Sequence, residues 1–487
     1  MKDSFDPFVN IVDRAKELIT AAPECVPMCI ERRRGSIFDA SHAPESGDAF
    51  GSACASGSAG ASIYLGDNLS LLKAMARDPG ILEKPLQLVY LDPPFFSDSD
   101  YDAAVKLGDN NIKFKAYTDK WAGGMEQYLT KLAAVLVLIK DVLAADGLVS
   151  VHLDWHASHY VKVLMDEIFG AEHFVNDIVW TYKSGGSTSK RFARKHDDIL
   201  LYSKSADFKF NPQKEKSYNR GLKPYNFEGV EEFQDEKGWY TLVNMKDVWE
   251  IDMVGRTSGE RTGYATQKPV KLMERLIKAC SDEGDLVADF FSGSGAFADA
   301  AAGLGRFPVC CDVSPLAVDT ALERLSSKGV AAELYVNGDT DTCDDAAAGS
   351  NAAAGCDAFD VTVSANYDNG LVEVSIDEIE MAAVPGRVDK KAAELVESVL
   401  ADDPALLIKS WCVGVSEGML SGDASLSESA AGMIHEPILS FDRSGGGIET
   451  TCSFTYAFDP PFELTVKVSD IFGDFTYKSI IVEAQNA

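Results

Sequence analysis

The chain has 487 residues, enough for two or three domains around a large core, and its apolar (46%) and charged (25%) fractions are those of a globular protein in water. A net charge of −31 excludes a uniformly basic surface, and the longest apolar run, Leu132–Ile139, is far too short to span a bilayer. The ten cysteines are scattered without a C-x-x-C pair, as reduced thiols in a cytosol are, and the acid-bearing start Met1–Pro7 has no apolar segment of the kind a secretory leader needs.

The charge is unevenly spread. Residues 329–487 hold 28 acids and 7 bases, a net of −21, whereas residues 1–328 have a net of −10. Within the latter, residues 181–223 hold 11 lysines and arginines against 4 acids, a net of +7. A local basic segment is what phosphate contact requires, although a solvated basic loop has the same composition.

In chain order, apolar spacing predicts an amphipathic helix over 5–22, followed by a flexible Gly/Ser/Ala-rich stretch over 35–62. A short strand, Ile63–Leu65, ends in Gly66-Asp67-Asn68, and a helix over 69–77 leads to the apolar strand Leu86–Leu91. The polar residues 97–120 read as a mobile loop. A helix over 125–143, a strand over 148–153, a helix over 156–169 and a strand over 174–182 precede the basic segment, which is interleaved with aromatic residues. A helix from Pro269 to about Cys280, a strand over 286–290, a glycine turn, a helix over 296–304 and a strand over 307–312 form a β-α-β unit. An acidic Ala-rich linker over 339–357 separates this part from six short alternating runs between 359 and 483 and one helix near 388–400, the pattern of a small β-rich domain.

Two motifs carry chemistry. Asp92-Pro93-Pro94-Phe95 follows a strand that reads as buried and parallel, and ligands in open α/β sheets bind at the carboxyl ends of strands. Asp92 and the Pro93 carbonyl can both accept hydrogen bonds from one exocyclic amine, and Phe95 offers a stacking face, which suits an extruded base. An ordinary strand-end turn with Phe95 in the core would carry the same four letters. In the second motif, Asp289-Phe-Phe-Ser-Gly293-Ser-Gly295 joins a strand to a helix whose first N–H groups are unpaired, and Asp312 ends the next strand, placed to bind a ribose. Gly293-x-Gly295-x-x-Ala298 also fits a dinucleotide fingerprint, so a nicotinamide oxidoreductase is the rival. Such a fingerprint opens its domain, however, and here one strand is expected after it and the other strands before it, so the sheet must be permuted.

The order Gly66-Asp67-Asn68, Asp92–Phe95, the unit 121–154, the basic segment, Thr266-Gln-Lys-Pro269 and Asp289-x-Phe-x-Gly-x-Gly295 resembles the DNA amino-methyltransferases of the N4/N6 type over roughly residues 60–325. It is similar to their permuted β group, which includes the modification subunits of type III restriction systems. Phe95 stands where that family usually has Tyr, and Phe290 where Pro is usual.

The resemblance implies a circularly permuted, Rossmann-like α/β methyltransferase fold over 63–338, with a target-recognition insertion at 181–260 and a β-rich, immunoglobulin- or PKD-like domain at 358–487. It implies transfer of a methyl group from S-adenosylmethionine to adenine N6 in DNA. Cytosine N4 and a catalytically silent DNA-binding subunit are the alternatives; the first residue, Asp92, favours adenine. Asp92, Pro93, Pro94 and Phe95 would be the catalytic turn. Asp67 would contact the cofactor adenine, Asp312 its ribose, and Asp289, Phe291, Gly293 and Gly295 its methionine part, with Thr266 and Lys268 lining the pocket. Lys183, Lys190, Arg191, Arg194 and Lys195 would contact DNA. The partners implied are double-stranded DNA with one flipped base, a second copy of the chain and a restriction subunit, but no membrane. The reaction needs no metal, so His152, His156 and His159 read as surface or packing residues rather than ligands. Nothing in 358–487 is catalytic; Asp459-Pro-Pro-Phe462 repeats the letters of the turn but precedes a strand, and the acidic domain reads as protein-contacting or stabilising.

Overall fold

In the computed structural model the described residues are 7–25, 27–33, 60–337 (without 83, 108–109, 184–188, 256 and 265), 359–381 (without 369–370), 388, 390–416, 435–442, 448–455 and 460–483 (without 474). The acidic linker and most of the Gly/Ser/Ala-rich stretch lie outside them.

The first half runs α1 (Pro7–Ala21), β1 (Pro27–Arg33), β2 (Gly60–Leu65), α2 (Asn68–Arg77), β3 (Leu86–Leu91), β4 (Asp100–Leu107), β5 (Asn110–Thr118), α3 (Gly124–Val142), β6 (Leu143–Leu153), α4 (Ser158–Phe169), β7 (Phe174–Thr181) and β8 (His196–Ser203). It continues through β9 (Lys214–Tyr218), β10 (Phe233–Asp235), β11 (Gly238–Asn244), β12 (Val248–Glu250), α5 (Val270–Cys280), β13 (Leu286–Asp289), α6 (Ala296–Gly303), β14 (Phe307–Asp312), α7 (Pro315–Ser326) and β15 (Ala331–Asn337). The last part comprises β16 (Phe359–Asp368), β17 (Leu371–Met381), α8 (Lys390–Asp402), β18 (Ile408–Ser416), β19 (His435–Asp442), β20 (Thr451–Thr455), β21 (Phe462–Asp470) and β22 (Phe475–Val482).

The central sheet reads β12-β7-β8-β6-β3-β13-β14-β2-β15-β1. From β6 to β15 its neighbours are parallel, and β8 runs antiparallel beside β6. All six residues of β3 are buried, as expected of a strand covered on both faces by helices. One face carries α1 to α4, with Leu71, Leu136 and Leu164 in its core; the other carries α5 to α7, with Leu276, Phe297 and Val318. This is the Rossmann-like doubly wound arrangement, and it is permuted: the glycine-loop strand β13 lies mid-sheet but late in the chain.

Four expectations are corrected. Residues 97–120 are not a plain loop: β4 and β5 pair as an antiparallel hairpin, Asp100 opposite Thr118 and Leu107 opposite Asn110. The charged and polar residues that made this stretch look like a loop alternate with Ile112 and Phe114, which are buried. Two strands follow the glycine motif rather than one, because β15 pairs parallel with β2. The basic segment is not wholly an insertion: His196–Ser203 is a buried central strand, and the excursion from the sheet is the three-stranded unit β10-β11-β9 beyond it. The first strand begins at Gly60, inside the stretch read as flexible.

In the last part, β16-β17-β20 faces the strands β19-β18-β21-β22 across a core that includes Val361, Val374, Trp411 and Val466. Of the Asp459–Phe462 repeat, Phe462 opens β21 and is buried in this core, and Asp459 lies outside the described residues. Strand β19 had no legible sequence signal; it joins β1 through the pair Glu31 and His435, so the two parts share one continuous sheet. Among the described residues no helix is long and apolar enough to cross a membrane.

Candidate active site

Strands β3 and β13 are neighbours, with Leu88, Val89 and Tyr90 opposite Val287, Ala288 and Asp289. The chain winds outward in opposite directions from this pair, so their carboxyl ends form the switch-point crevice where α/β sheets bind ligands. The Asp92 turn and the glycine loop, 197 residues apart by number, therefore share one cavity of about 1490 Å³. Single-ligand pockets span roughly 300–1,000 Å³, so this one has room for a nucleoside cofactor and a base together.

At the end of β3, Asp92 pairs through Oδ2 with Lys268 Nζ, while its Oδ1 is buried and has no hydrogen-bond partner. Phe95 lies against the His152 ring, 5.8 Å between centroids and 26° between planes, and Lys268 Nζ stands 5.2 Å from the Phe95 centroid. The next residues are strained: Phe96 and Asp98 have φ of 63° and 53°. Asp119, at the foot of the hairpin, holds this exit by accepting from Phe96 N at 3.1 Å and Ser97 N at 2.6 Å.

Beneath Phe95 is a buried polar chain. The Tyr90 hydroxyl is 2.8 Å from His152 Nδ1, and His152 Nε2 is 3.2 Å from Asp197 Oδ2. Tyr182 donates to the other Asp197 oxygen at 2.9 Å. Burial pushes the Asp197 carboxyl up, but His152, Lys268 and Tyr182 together hold the group below its ordinary value. Tyr90 also stacks on Phe297 of α6 at 5.6 Å, joining the turn to the glycine-loop helix. His152 thus backs the Phe95 ring and bridges Tyr90 and Asp197; among the described residues no His/Cys/Asp/Glu cluster suited to a metal occurs. Sequence reasoning missed Tyr90, Asp197 and Tyr182, which lie on different strands and share no motif.

On the other wall, Gly293 and Gly295 have φ of +47° and +71°. A Cβ on Gly295 would sit 2.7 Å from the Ala321 Cβ, so glycine is needed for α6 and α7 to meet. Asp312 accepts from Gly293 N at 2.8 Å and Ser314 N at 2.9 Å, fixing the loop. Burial raises the Asp312 and Asp289 carboxyls, and for Asp289 the nearby Asp92 and Asp312 add to the effect. Phe291 is half-buried, its N–H on Asp289 Oδ1 at 3.0 Å. Asp67 caps α2, accepting from Ser70 N at 2.8 Å, and Asn68 binds the Phe290 carbonyl at 2.9 Å. The Ser292 hydroxyl is buried and unpartnered. Several carboxyls, an orphan hydroxyl and a glycine-lined approach fit a cationic sulfonium nucleoside with an amino-acid tail.

Thr266 and Lys268 do line the pocket, but Lys268 reaches the Asp92–Phe95 turn, and Thr266, at φ 56°, meets the Tyr117 hydroxyl at 3.2 Å. The organiser of Thr262–Pro269 is Gln267, which accepts from Thr262 N at 2.9 Å and donates to Glu260 O at 2.7 Å.

Lys183, Lys190, Arg191, Arg194 and Lys195 all fall on the 182–195 connection between β7 and β8, outside the pocket but at its lip, since Tyr182 N donates to Lys195 O at 3.1 Å. Arg194 lies over Trp155 at 3.4 Å, and Phe192, two residues before Arg194, is 98% exposed. Lys183 pairs loosely with Asp252 at 3.6 Å.

The family model described as DNA methylase matches residues 86–323. The Type II methyltransferase M.HpaI of Haemophilus parainfluenzae is 28% identical over 253 residues, covering 50% of this chain and 70% of the relative. The Type II methyltransferase M.BglII of Bacillus subtilis is 31% identical over 285 residues, covering 55% and 69%. The EcoP15I Mod subunit of a Type III restriction-modification enzyme, from Escherichia coli, is 27% identical over 161 residues, covering 30% and 24%. Gly295→Ala will weaken cofactor binding about tenfold or more, because the added methyl must push α6 from α7 and strain a positive φ; isothermal titration with S-adenosylmethionine checks this, and an unchanged affinity in a folded variant contradicts it.

Proposed function

The chain belongs to the DNA N4/N6 amino-methyltransferase family, and from this we propose that it methylates adenine N6 at a specific sequence in double-stranded DNA, as part of a restriction-modification or related defence system in the cytoplasm. The observation that carries the reading is Asp92 Oδ1, a buried acceptor left without a partner at the end of β3, next to the half-buried Phe95 ring. When bound, S-adenosylmethionine supplies an electrophilic methyl group on a positively charged sulfur; Asp67, Asp289, Phe291, Gly293, Gly295 and Asp312 are the residues that would hold it.

The exocyclic nitrogen of adenine is a weak nucleophile because its lone pair is delocalised into the ring. Asp92 Oδ1 accepts one amine hydrogen and the Pro93 carbonyl the other, which favours a more tetrahedral nitrogen with its lone pair free. Phe95, backed by His152, holds the base plane, and Lys268 orients the Asp92 carboxyl through its pair with Oδ2. Most of the rate gain is then positioning. Phe in place of Tyr leaves stacking as the ring's role. Asp92 as the first residue of the turn favours adenine over cytosine N4, a family tendency rather than a physical requirement, since both amines need the same acceptors.

The duplex would lie across the 182–195 connection. Lys190, Arg191 and Arg194 offer phosphate contacts, and the Arg194–Trp155 stack a planar cationic surface.

Labelled methyl transfer to DNA followed by nucleoside analysis tests the reaction: N6-methyl-2′-deoxyadenosine is expected, N4-methyl-2′-deoxycytidine would move the assignment to the other amine, and no incorporation into any DNA would refute both. Asp92→Ala should lower transfer by about 100-fold or more, as loss of one positioned polar group does, with cofactor affinity kept. Arg194→Ala should weaken DNA binding across sequences and reduce the slope of log K against log salt by about 1; fluorescence anisotropy over a salt series reads this, and an unchanged slope removes Arg194 from the interface.

A further inference from the structure

The β4–β5 hairpin connects the pocket to the last part of the chain. At its pocket end, Tyr101, Lys115 and Tyr117 line the cavity, and the Tyr117 hydroxyl meets Thr266 on the facing segment at 3.2 Å. Asp119 at its foot holds the backbone just after Phe95. At its far end, Leu107, Ile112 and Phe114 are buried, and what they pack against is C-terminal: Val396, Leu407, Ile471 and Phe472. Phe114 meets Phe472 edge to face, 5.3 Å between centroids and 85° between planes. A two-stranded hairpin is marginal alone, so this cover decides whether it is ordered.

The turn that carries Phe472 is itself fixed from two sides. Phe472 N donates to Asp470 Oδ1 at 2.8 Å, and Ile471 N to the Leu407 carbonyl at 2.9 Å. Gly473, at φ +89°, lies so close to α7 that a Cβ there would be 2.4 Å from the Leu316 Cα. Lys409 on β18 reaches the same helix, pairing with Asp319 at 2.6 Å and Glu323 at 2.9 Å. Helix α7 starts directly after Asp312, which fixes the glycine loop. The 471–473 turn therefore stands between α7, on the cofactor wall, and the hairpin, on the catalytic-turn wall.

We infer that the C-terminal part, residues 359–483, is an intramolecular strut that holds the β4–β5 hairpin closed over the active-site cavity, with Phe472 as a positioning residue. The inference rests on the methyl-transfer reading for what the cavity binds, but not for the mechanical coupling. A hairpin released from its support spends part of its time open, and apparent affinity falls by the fraction closed, while turnover of the filled site is kept.

The test uses the full chain carrying Phe472→Ala, with Phe472→Leu as the conservative control. Loss of the aromatic pair should raise the hairpin's open-to-closed ratio roughly tenfold, read as faster amide hydrogen exchange in residues 100–118 with no change in β3 and β13. KM for DNA should rise by the factor by which the closed fraction falls, so that the exchange gain multiplied by the KM rise is about tenfold, while kcat stays within about twofold, and Phe472→Leu should recover most of the loss. Unchanged hairpin exchange in folded Phe472→Ala, or a hairpin found mostly open with unchanged KM, overturns the strut. If Phe472→Ala does not fold, Phe114→Ala removes the same contact from the hairpin side and is read in the same way. If the wild-type chain transfers no methyl group at all, the methyl-transfer reading has failed, and hydrogen exchange alone still decides the strut.

Discussion

The parallel pairing of β3 with β13 is the constraint on which the rest of the molecule depends. It places Tyr90 opposite Asp289, so the turn that follows one strand and the loop that follows the other open into the same crevice. Neither half makes the pocket alone: the turn brings the Asp92 carboxyl and the Phe95 ring, the loop a glycine-lined wall. β13 enters late in the chain, so β6, β7 and β8 separate it from β3 in sequence although the two strands are neighbours in the sheet.

That arrangement concentrates negative charge. Asp92, Asp289 and Asp312 lie close enough that Asp92 and Asp312 help raise the buried Asp289. Lys268 offsets part of it at Asp92, and backbone N–H groups offset part at Asp312. A pocket with this balance favours a cationic ligand, and it leaves one Asp92 oxygen available as an acceptor. The acidity that speaks against DNA in the overall composition thus has a local use inside the pocket, while the lip near residues 190–195 is basic.

The C-terminal addition changes how the catalytic part should be regarded. Its strands extend the central sheet through β1, its 471–473 turn abuts α7, and its apolar cluster covers the hairpin. The pocket's outer wall therefore has two owners, the hairpin that forms it and the β-rich part that keeps it in place.

Much of this was legible from residue order. Strand β3, α3, α5, the glycine loop and α6 follow from apolar runs, a glycine pattern and helix-start chemistry, all short-range properties of the chain, and the ordered motifs pointed to one family. The Asp92–Phe95 turn, Asp289 and Asp312 were legible as pocket-lining residues because each sits at a strand end, where the crevice opens. What tertiary structure decided is long-range: the Lys268–Asp92 pair, the Tyr90–His152–Asp197 chain under Phe95, and the cover over β4 and β5. Those partners are 45 to 360 positions apart, and nothing in their spacing distinguishes them from other polar or apolar residues. Sequence alone determined which chemistry the chain carries, because that chemistry is written in contiguous motifs. Only the folded sheet decided how those groups are held, because their supports are neighbours through pairing and packing, not along the chain.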